Sequence, residues 1–367
     1  METYRVIGLM SGTSLDGVDI AYCVFNINDG KWNFEIKEAE TISYDAGWRK
    51  TLESLHEKSA LAFVSIDNEY GRYLGQLVNQ FIRKNKLKAD FVSSHGHTIF
   101  HQPEKGITVQ IGNGAALAAA SECSVVCDFR SLDVALGGQG APLVPIGDHF
   151  LFSEYDYCLN IGGIANISFE KNSKRIAFDI CPANMVLNAL AQKEGIVFDM
   201  DGKLAREGRI NSALLEELNT LDYYSLNHPK SLGREWVDQN FFPVLKKHSL
   251  NTKDKLSTCC EHIAIQISKI IKADHDKGKV LTTGGGAFNK FLTERISSHL
   301  SRPTEQPFGR PSEIVLPSST LINYKEALIF AFLGVLRWRG EVNCLKEVTG
   351  ARRNSSGGAI YISKEKS

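Results

Sequence analysis

The sequence predicts an α/β protein of two domains. Strand-length apolar runs alternate with stretches of helical periodicity. The 367 residues exceed what one core usually serves. Each half also opens in the same way, with a hairpin whose turn is rich in glycine and polar residues, first at Gly8–Asp19 and again within Tyr157–Phe169. That shared opening suggests a distant duplication.

Tyr4–Leu9 reads as a buried strand and Val18–Phe25 as its hairpin partner, with Asn33–Ser43 as an edge strand. Helical patterns follow at Trp48–Glu57 and Asp67–Asn85, the second carrying Leu74, Leu77, Val78 and Phe81 on one face. Phe91–Ser94 is a short strand ending at His95-Gly-His-Thr-Ile-Phe-His101, and Thr108–Gly112 is a strand leading into a helix at Gly114–Ser121. Ser124–Cys127 is a strand ending in Asp128-Phe-Arg130. The Gly- and Pro-bearing run Leu136–Pro145 is taken as the crossing into the second domain. There, Lys174–Phe178 is a strand ended by Asp179, and Pro182 introduces a helix at Ala183–Gln192. Further helices are expected at Ala213–Leu218, Gly233–Lys246, Thr258–Lys272 and Leu321–Trp338. Lys279–Asn289 combines a strand, the three glycines Gly284, Gly285 and Gly286, and a helix start, and Ala359–Ile362 is a last strand.

Composition narrows the function classes. Hydrophobic content of 43% and charged content of 23% are those of a globular protein. The 42 basic and 42 acidic residues cancel, whereas a nucleic-acid binder usually shows a basic excess. No signal-peptide pattern follows Met1, and no uninterrupted apolar run approaches the about 18 residues of a membrane span. A cytoplasmic protein is therefore expected, without nucleic-acid or membrane partners. The eight cysteines form no C-x-x-C pair and read as reduced core residues.

Several stretches are suited to chemistry. Between the first two strands, Ser11, Gly12, Thr13, Ser14, Leu15, Asp16 and Gly17 offer hydroxyls and close backbone amides, the materials of an anion-binding nest. The same composition also makes an ordinary polar hairpin turn. No Gly-Lys-Ser/Thr follows, so it is not a Walker A loop. With Gly162–Gly163 and Gly284–Gly286 it makes three Gly-rich turns after strands, a pattern suited to two domains that together hold one polyphosphate. Asp16 and Asp19 suit a hydrated Mg²⁺, which needs only one or two carboxylates. Asp179 reads either as a general base at a strand end or as a helix-entry carboxylate. His95, His97 and His101, with Asp128, leave three readings open: a zinc site, hydrogen bonds to a sugar, or structural histidines. Arg130 suits a carboxylate-bearing ligand or an ordinary salt bridge.

These words together resemble the anhydro-N-acetylmuramic acid kinases over essentially the whole chain. The resemblance rests on Gly8-Leu-Met-Ser-Gly-Thr-Ser-Leu-Asp-Gly-Val-Asp19, His95-Gly with Thr98, Val109-Gln-Ile-Gly112, Asp128-Phe-Arg130, and Gly137-Gly-Gln-Gly-Ala-Pro-Leu-Val-Pro145. It continues through Leu159-Asn-Ile-Gly-Gly-Ile-Ala-Asn166, Lys230-Ser with Gly233-Arg-Glu235, Gly284-Gly-Gly-Ala with Asn289, and Glu326-Ala. It implies a two-lobed actin- and hexokinase-like fold, of ribonuclease H-like lobes around an ATP cleft. The lobes would comprise residues 1–131 with 345–367 and residues 132–344. It also implies that water and ATP open the 1,6-anhydro bridge of an amino sugar and phosphorylate the freed O6, in cell-wall recycling by a homodimer. Asp179 would then be the base that activates water. Ser11–Asp19 would face the triphosphate and Mg²⁺, with Gly162, Gly163, Gly284, Gly285 and Gly286 near the nucleotide. His95, Arg130, Asn184 and Glu326 would serve the sugar or the reacting phosphate.

The chain departs from the family pattern at three places. Asp179-Ile-Cys-Pro-Ala-Asn184 stands for Asp-Thr-Gly-Pro-Gly-Asn, His97 replaces the usual glutamine, and Phe288 replaces a side chain with a donor. These departures bear on substrate and turnover more than on fold. They motivate a second reading, an ATP- and sugar-binding relative with another substrate or a sensor role. A zinc hydrolase built on His95, His97 and His101 is the reading from a different class.

Overall fold

A computed structural model describes residues 2–12, 15–274, 278–301 and 312–363. The chain divides into a first unit, Met1–Leu151 with Tyr324–Ser367, and a second, Phe152–Asn323.

In the first unit the strands are β1 (Glu2–Ser11), β2 (Gly17–Asn28), β3 (Lys31–Ser43), β4 (Phe91–Gln102), β5 (Ile107–Ile111) and β6 (Val125–Cys127). The second unit contributes β7 (Tyr157–Ile161), β8 (Ile164–Lys171), β9 (Lys174–Pro182), β10 (Lys279–Thr283) and β11 (Glu313–Val315), and β12 (Ala359–Tyr361) returns to the first. The first sheet runs β12-β6-β4-β1-β2-β3 with β5 on β4, and the second runs β11-β10-β7-β8-β9. In each, an antiparallel three-strand meander is followed by two strands parallel to its first: β4 and β6 beside β1, β10 and β11 beside β7. This is the strand order of ribonuclease H-like domains, made twice by one chain.

Alternation along β1 explains the layering. Ile7 and Leu9 join Val18, Ile20 and Val92 in a core completed by Tyr70, Leu74, Leu77, Val78 and Phe81 of the helix Ala60–Asn85. Those five recur at helical spacing, and Ser59 caps the helix by accepting the Ala62 N–H. The residue between, Gly8, faces the opposite way, where a Cβ would stand 2.1 Å from the Ala327 carbonyl oxygen. The helix Ser319–Trp338 thus packs its main chain against β1 on that side. By length and composition this helix is able to cross a membrane, although the sequence showed no uninterrupted apolar run. Here Ala327–Leu333 is fully buried as a core helix, with Phe332 against Phe25 and Trp32. The second unit is centred on the helix Thr252–Asp274, whose Leu256, Cys259, Cys260, Ile263, Ala264, Ile267 and Ile271 pack against its sheet.

The boundaries differ from residues 131/132 and 344/345. Residues 132–151 and 324–344 belong to the first unit. Asp133 is the reason for the first shift. It is buried, and its carboxylate accepts the Gly140 N–H at 2.8 Å, the Thr349 hydroxyl at 2.8 Å and the Cys344 thiol at 3.0 Å. These bonds tie the Gly-rich run to the returning C-terminal segment. All eight cysteines are free, and all but Cys123 are buried.

Two strand ends also differ. β4 does not stop at Ser94 but continues to Gln102, because β5 pairs with its far half. β9 does not end at Asp179 but runs to Pro182, with a bulge: Asn166 pairs with Asp179 and Ala165 with Cys181, leaving Ile180 as the extra residue. The helix expected at Gly233–Lys246 is split by a π-helical turn at Val237–Phe241.

Candidate functional site

In each unit the chemistry-bearing residues collect at the carboxyl ends of the parallel strands, where α/β sheets place their ligand-binding loops. In the first unit these are Ser11 at the end of β1, Asp19 opposite Met10, and Arg130 just past β6. Ser11 is buried, its Oγ 2.6 Å from the Tyr44 hydroxyl and 2.8 Å from His97 Nδ1. Gly12 accepts the Leu15 N–H across the turn at 3.3 Å, and Leu15 takes a left-handed φ of 58°. Gly17 pairs with Ser43 at the start of β2, and Asp16 is exposed. Thr13 and Ser14 lie outside the described residues.

Asp19 accepts the Thr41 hydroxyl on Oδ1 at 2.6 Å. Burial raises its pKa, the Thr41 bond opposes the rise, and the Asp16 carboxylate adds to it. Glu326 is reached by solvent, yet the protein crowded around it raises its pKa; the Arg130 guanidinium opposes this and Asp19 reinforces it. Arg130 is fixed by donation from Nη1 to the Gly140 carbonyl at 2.6 Å and from Nε to His95 Nε2 at 3.0 Å. Burial lowers its pKa to about 10, with Glu326 opposing, so it stays cationic at neutral pH. Because His95 Nε2 accepts, its proton sits on Nδ1, which donates to the Gly96 carbonyl at 3.0 Å. Burial and the Arg130 charge hold His95 well below the usual histidine range. Asp16, Asp19, Glu326, Arg130 and His95 thus form one electrostatically linked group.

The second unit assembles its own set. The Gly162–Gly163 turn joins β7 to β8, and its carbonyls receive the Ala183, Asn184 and Met185 N–H groups. Asn184 adds a side-chain bond from Nδ2 to the Ile161 carbonyl at 3.1 Å. Gly284 ends the adjacent strand with φ 81° and ψ 162°, a region only glycine adopts readily. A Cβ on Gly286 would stand 2.2 Å from Ile161 Cγ2, so the two Gly turns and Asn184 all converge on the end of β7.

Gly285, expected beside Gly284 and Gly286 as one of three equivalent glycines, differs from both. It is exposed and opens the short 3-10 turn Gly285–Phe288. A Cβ there would meet only Asn184 Nδ2, at 3.5 Å, which is ordinary contact. The fold therefore demands glycine at 284 and 286 but not at 285, where the missing side chain leaves open surface beside Asn184.

Asp179 stands at the same sheet edge. Its Oδ2 accepts the Leu232 N–H at 2.9 Å, and its carbonyl accepts the Tyr223 hydroxyl at 2.7 Å. Among the described residues nothing pairs with Oδ1. Burial raises the Asp179 pKa, with the Leu232 bond opposing. A carboxylate so placed is a stronger base than one in water. The altered residues Ile180, Cys181 and Ala183 are buried in the core, with their side chains within the packing of this unit.

The zinc reading does not survive this geometry. Among the described residues no group of three His, Cys, Asp or Glu is placed to hold a metal ion. Two histidines two apart share a face only on a regular strand, and Gly96 between them takes φ 74°. His95 therefore bonds Arg130, His97 bonds Ser11, and the exposed His101 bonds Thr108 at 3.1 Å. Asp128 is exposed, accepts the Ser131 hydroxyl, and takes no part in them.

Sequence reasoning missed Tyr44, Tyr70, Thr41, Tyr223 and the Leu232 amide. Each acts across a tertiary contact with no local word to mark it; only the proximity of Lys230-Ser and Gly233 to Leu232 hinted at the last.

A protein-family model, Anhydro-N-acetylmuramic acid kinase, matches residues 4–363. A Sulfurovum sp. protein of that name is 34% identical over 380 residues, covering 99% of this chain and 100% of its own. One from Aliivibrio fischeri is 35% identical over 382 residues, covering 98% and 99%. Among solved structures, a ROK family glucokinase from Streptomyces griseus in complex with glucose and AMPPNP aligns with a TM-score of 0.41 and 10% identity, covering 90% of this chain and 98% of that one.

Proposed function

The chain belongs to the anhydro-N-acetylmuramic acid kinase family, and from that premise we propose that it opens the 1,6-anhydro bridge of anhydro-N-acetylmuramic acid with water while transferring the γ-phosphoryl group of ATP to O6. The products are N-acetylmuramic acid 6-phosphate and ADP. The observation that carries the reading is Asp179, a carboxylate with one oxygen pinned by the Leu232 N–H and the other without a partner among the described residues.

Water attack at an anomeric carbon needs a base on the face opposite the leaving oxygen. The unpaired Asp179 oxygen takes the proton as the new C1–O bond forms and the C1–O6 bond breaks. The electron pair left on O6 takes the γ-phosphoryl group, and the bond to the ADP oxygen breaks. O6 leaves as a phosphate ester, so no separate general acid is required. The proton on Asp179 then passes to solvent.

Phosphoryl transfer depends on positioning and charge stabilisation. In this reading the amides of Gly12–Gly17 hold the triphosphate, and Gly162, Gly163, Gly284, Gly285 and Gly286 contact the nucleotide, where glycine lets the main chain approach. Arg130, held by His95 and Gly140, binds the sugar carboxylate or the reacting phosphate, and Asn184 and Glu326 orient sugar hydroxyls. Asp16 and Asp19 fit Mg²⁺: their charges are coupled, Thr41 steadies one oxygen of Asp19, and the donors are the hard oxygens this ion prefers. When bound, Mg²⁺ neutralises charge on the phosphates. The proposal extends to a homodimer, as the family resemblance implies, and to a cytoplasmic location, as the sequence pattern suggests.

Incubation with ATP, Mg²⁺ and the anhydro sugar is expected to give ADP and sugar monophosphate in equal amounts, and chelating the metal is expected to stop both. ADP without sugar phosphate contradicts the reading.

A further inference from the structure

The Asp179 carboxylate is bonded at one oxygen, and its main chain is held by the same stretch of sequence. β9 is the outer strand of its sheet, so on the side away from β8 its main-chain groups have no strand to meet. At Asp179 the stretch Tyr223–Leu232 meets them instead. The Asp179 N–H donates to the Lys230 carbonyl at 3.3 Å, the Asp179 carbonyl accepts the Tyr223 hydroxyl at 2.7 Å, and Oδ2 accepts the Leu232 N–H at 2.9 Å. The bulge at Ile180 follows directly. A bulge breaks the regular alternation of side chains, so the strand alone does not fix where Asp179 aims. The two ends of the stretch are fastened to each other. Lys230 Nζ donates to the Tyr223 carbonyl at 3.2 Å and stands 4.5 Å from the centre of the Tyr223 ring. No carboxylate pairs with this ammonium among the described residues. Tyr223 is buried, with its ring centre 5.4 Å from that of Trp236. Burial, with the Asp179 charge adding to it, pushes the Tyr223 pKa up, so the hydroxyl keeps its proton and donates.

A carboxylate bonded at one oxygen still swings about that bond. Holding the main chain on both sides of its Cα removes most of that freedom, and a base must be held to within about 0.5 Å of its working position. We propose that Tyr223 is a positioning residue for Asp179: its hydroxyl, kept in place by Lys230 and Trp236, fixes the Asp179 main chain so that Oδ1 keeps one aim toward the attacking water. This rests on the reading that Asp179 activates that water. Tyr223 takes no part in the proton transfer and acts through Asp179.

The test is steady-state kinetics of the full chain with ATP, Mg²⁺ and the anhydro sugar, for the wild type, Tyr223→Phe, Tyr224→Phe and Lys230→Met, with folding checked by thermal denaturation. Tyr223→Phe keeps the ring and removes only the hydroxyl. Its kcat is expected to fall by at least about fivefold, the worth of one buried hydrogen bond, and by up to about a hundredfold where the carboxylate shifts by about 1 Å. The KM values for sugar and ATP are expected to stay within about twofold, because the lost interaction serves the transition state. Tyr224→Phe is the control. It removes the neighbouring hydroxyl of the same turn, which is 2.8 Å from His262 Nε2 and does not touch Asp179, and it is expected to keep the wild-type kcat. Wild-type kcat in a folded Tyr223→Phe protein, equal kcat losses in the two Tyr→Phe variants, or a loss confined to KM overturns the proposal. Should Tyr223→Phe not fold, Lys230→Met decides, since it removes the ammonium that holds Tyr223. A lower kcat with both KM values unchanged supports the proposal, and a wild-type kcat or a raised KM for the sugar overturns it. If Asp179→Asn keeps the wild-type kcat, the base reading falls and this proposal with it. If Asp179→Asn is inactive while Tyr223→Phe matches the wild type, only the positioning role falls.

Discussion

Asp179 is a carboxylate with two unlike oxygens, one donated to by the Leu232 N–H and one without a partner among the described residues. Its partial burial favours the protonated form. A folded-state pKa above the unfolded value means that the folded protein binds this proton more tightly. The resulting stability is present at low pH and is lost as pH rises through the raised pKa. Once ionised, the side chain is therefore a cost to the fold. Asp179→Asn keeps an acceptor for the Leu232 N–H and removes the charge. Its melting temperature is expected to exceed that of the wild type at neutral pH, with the gap closing as pH falls through the carboxylate range. Thermal denaturation at a series of pH values checks this, and a lower melting temperature for the variant at neutral pH contradicts it. The same substitution should lower kcat by about a hundredfold to ten-thousandfold, the usual worth of a general base.

At the scale of elements, strand ends and the turns that follow them set the site. Gly284 leaves β10 at φ 81° and ψ 162° beside the Ile161 carbonyl. Gly284→Ala is expected to cost about 1–3 kcal/mol of stability and to weaken nucleotide binding. Chemical denaturation and Mg·ATP titration measure the two effects, and a variant equal to wild type in both contradicts the assignment. Much of this scale was legible in the sequence because turns are local: the hairpins at Gly8–Asp19 and Gly162–Gly163 and the Gly284–Gly286 run declared themselves by glycine and polar spacing. The unequal standing of the three glycines was not legible, since only the neighbouring Ile161 separates Gly284 and Gly286 from the open position of Gly285. Other features that escaped the sequence depend on pairing partners. β4 runs past His95 because β5 borders it, and the Ile180 bulge exists only against β8. Hydrogen bonds join residues 11, 44, 70 and 97, far apart in sequence. His97, open in the sequence to a zinc, a sugar-binding or a structural reading, meets Ser11 only in the fold. The first-unit boundary moved for the same reason, since Asp133 meets Cys344 and Thr349 only in the fold.

Across the whole molecule, one strand order is made twice, and each copy places polar residues at the carboxyl ends of its parallel strands. The first unit gathers carboxylates and a fixed arginine; the second gathers Gly turns and the Asp179 carboxylate. The altered segment Ile180–Ala183 sits in the core of the second unit and leaves Asp179 and Asn184 in place, which argues for retained chemistry. The central claim is that Asp179 activates water against C1 while O6 receives the phosphate. The most direct test is incubation with ATP, Mg²⁺ and 1,6-anhydro-N-acetylmuramic acid in oxygen-18 water, followed by mass spectrometry of the sugar, with Asp179→Asn in parallel. One oxygen-18 at C1 and one phosphate at O6, both missing with the variant, is the predicted result. Phosphate on a sugar without oxygen-18 at C1, or full labelling by the Asp179→Asn protein, would contradict it.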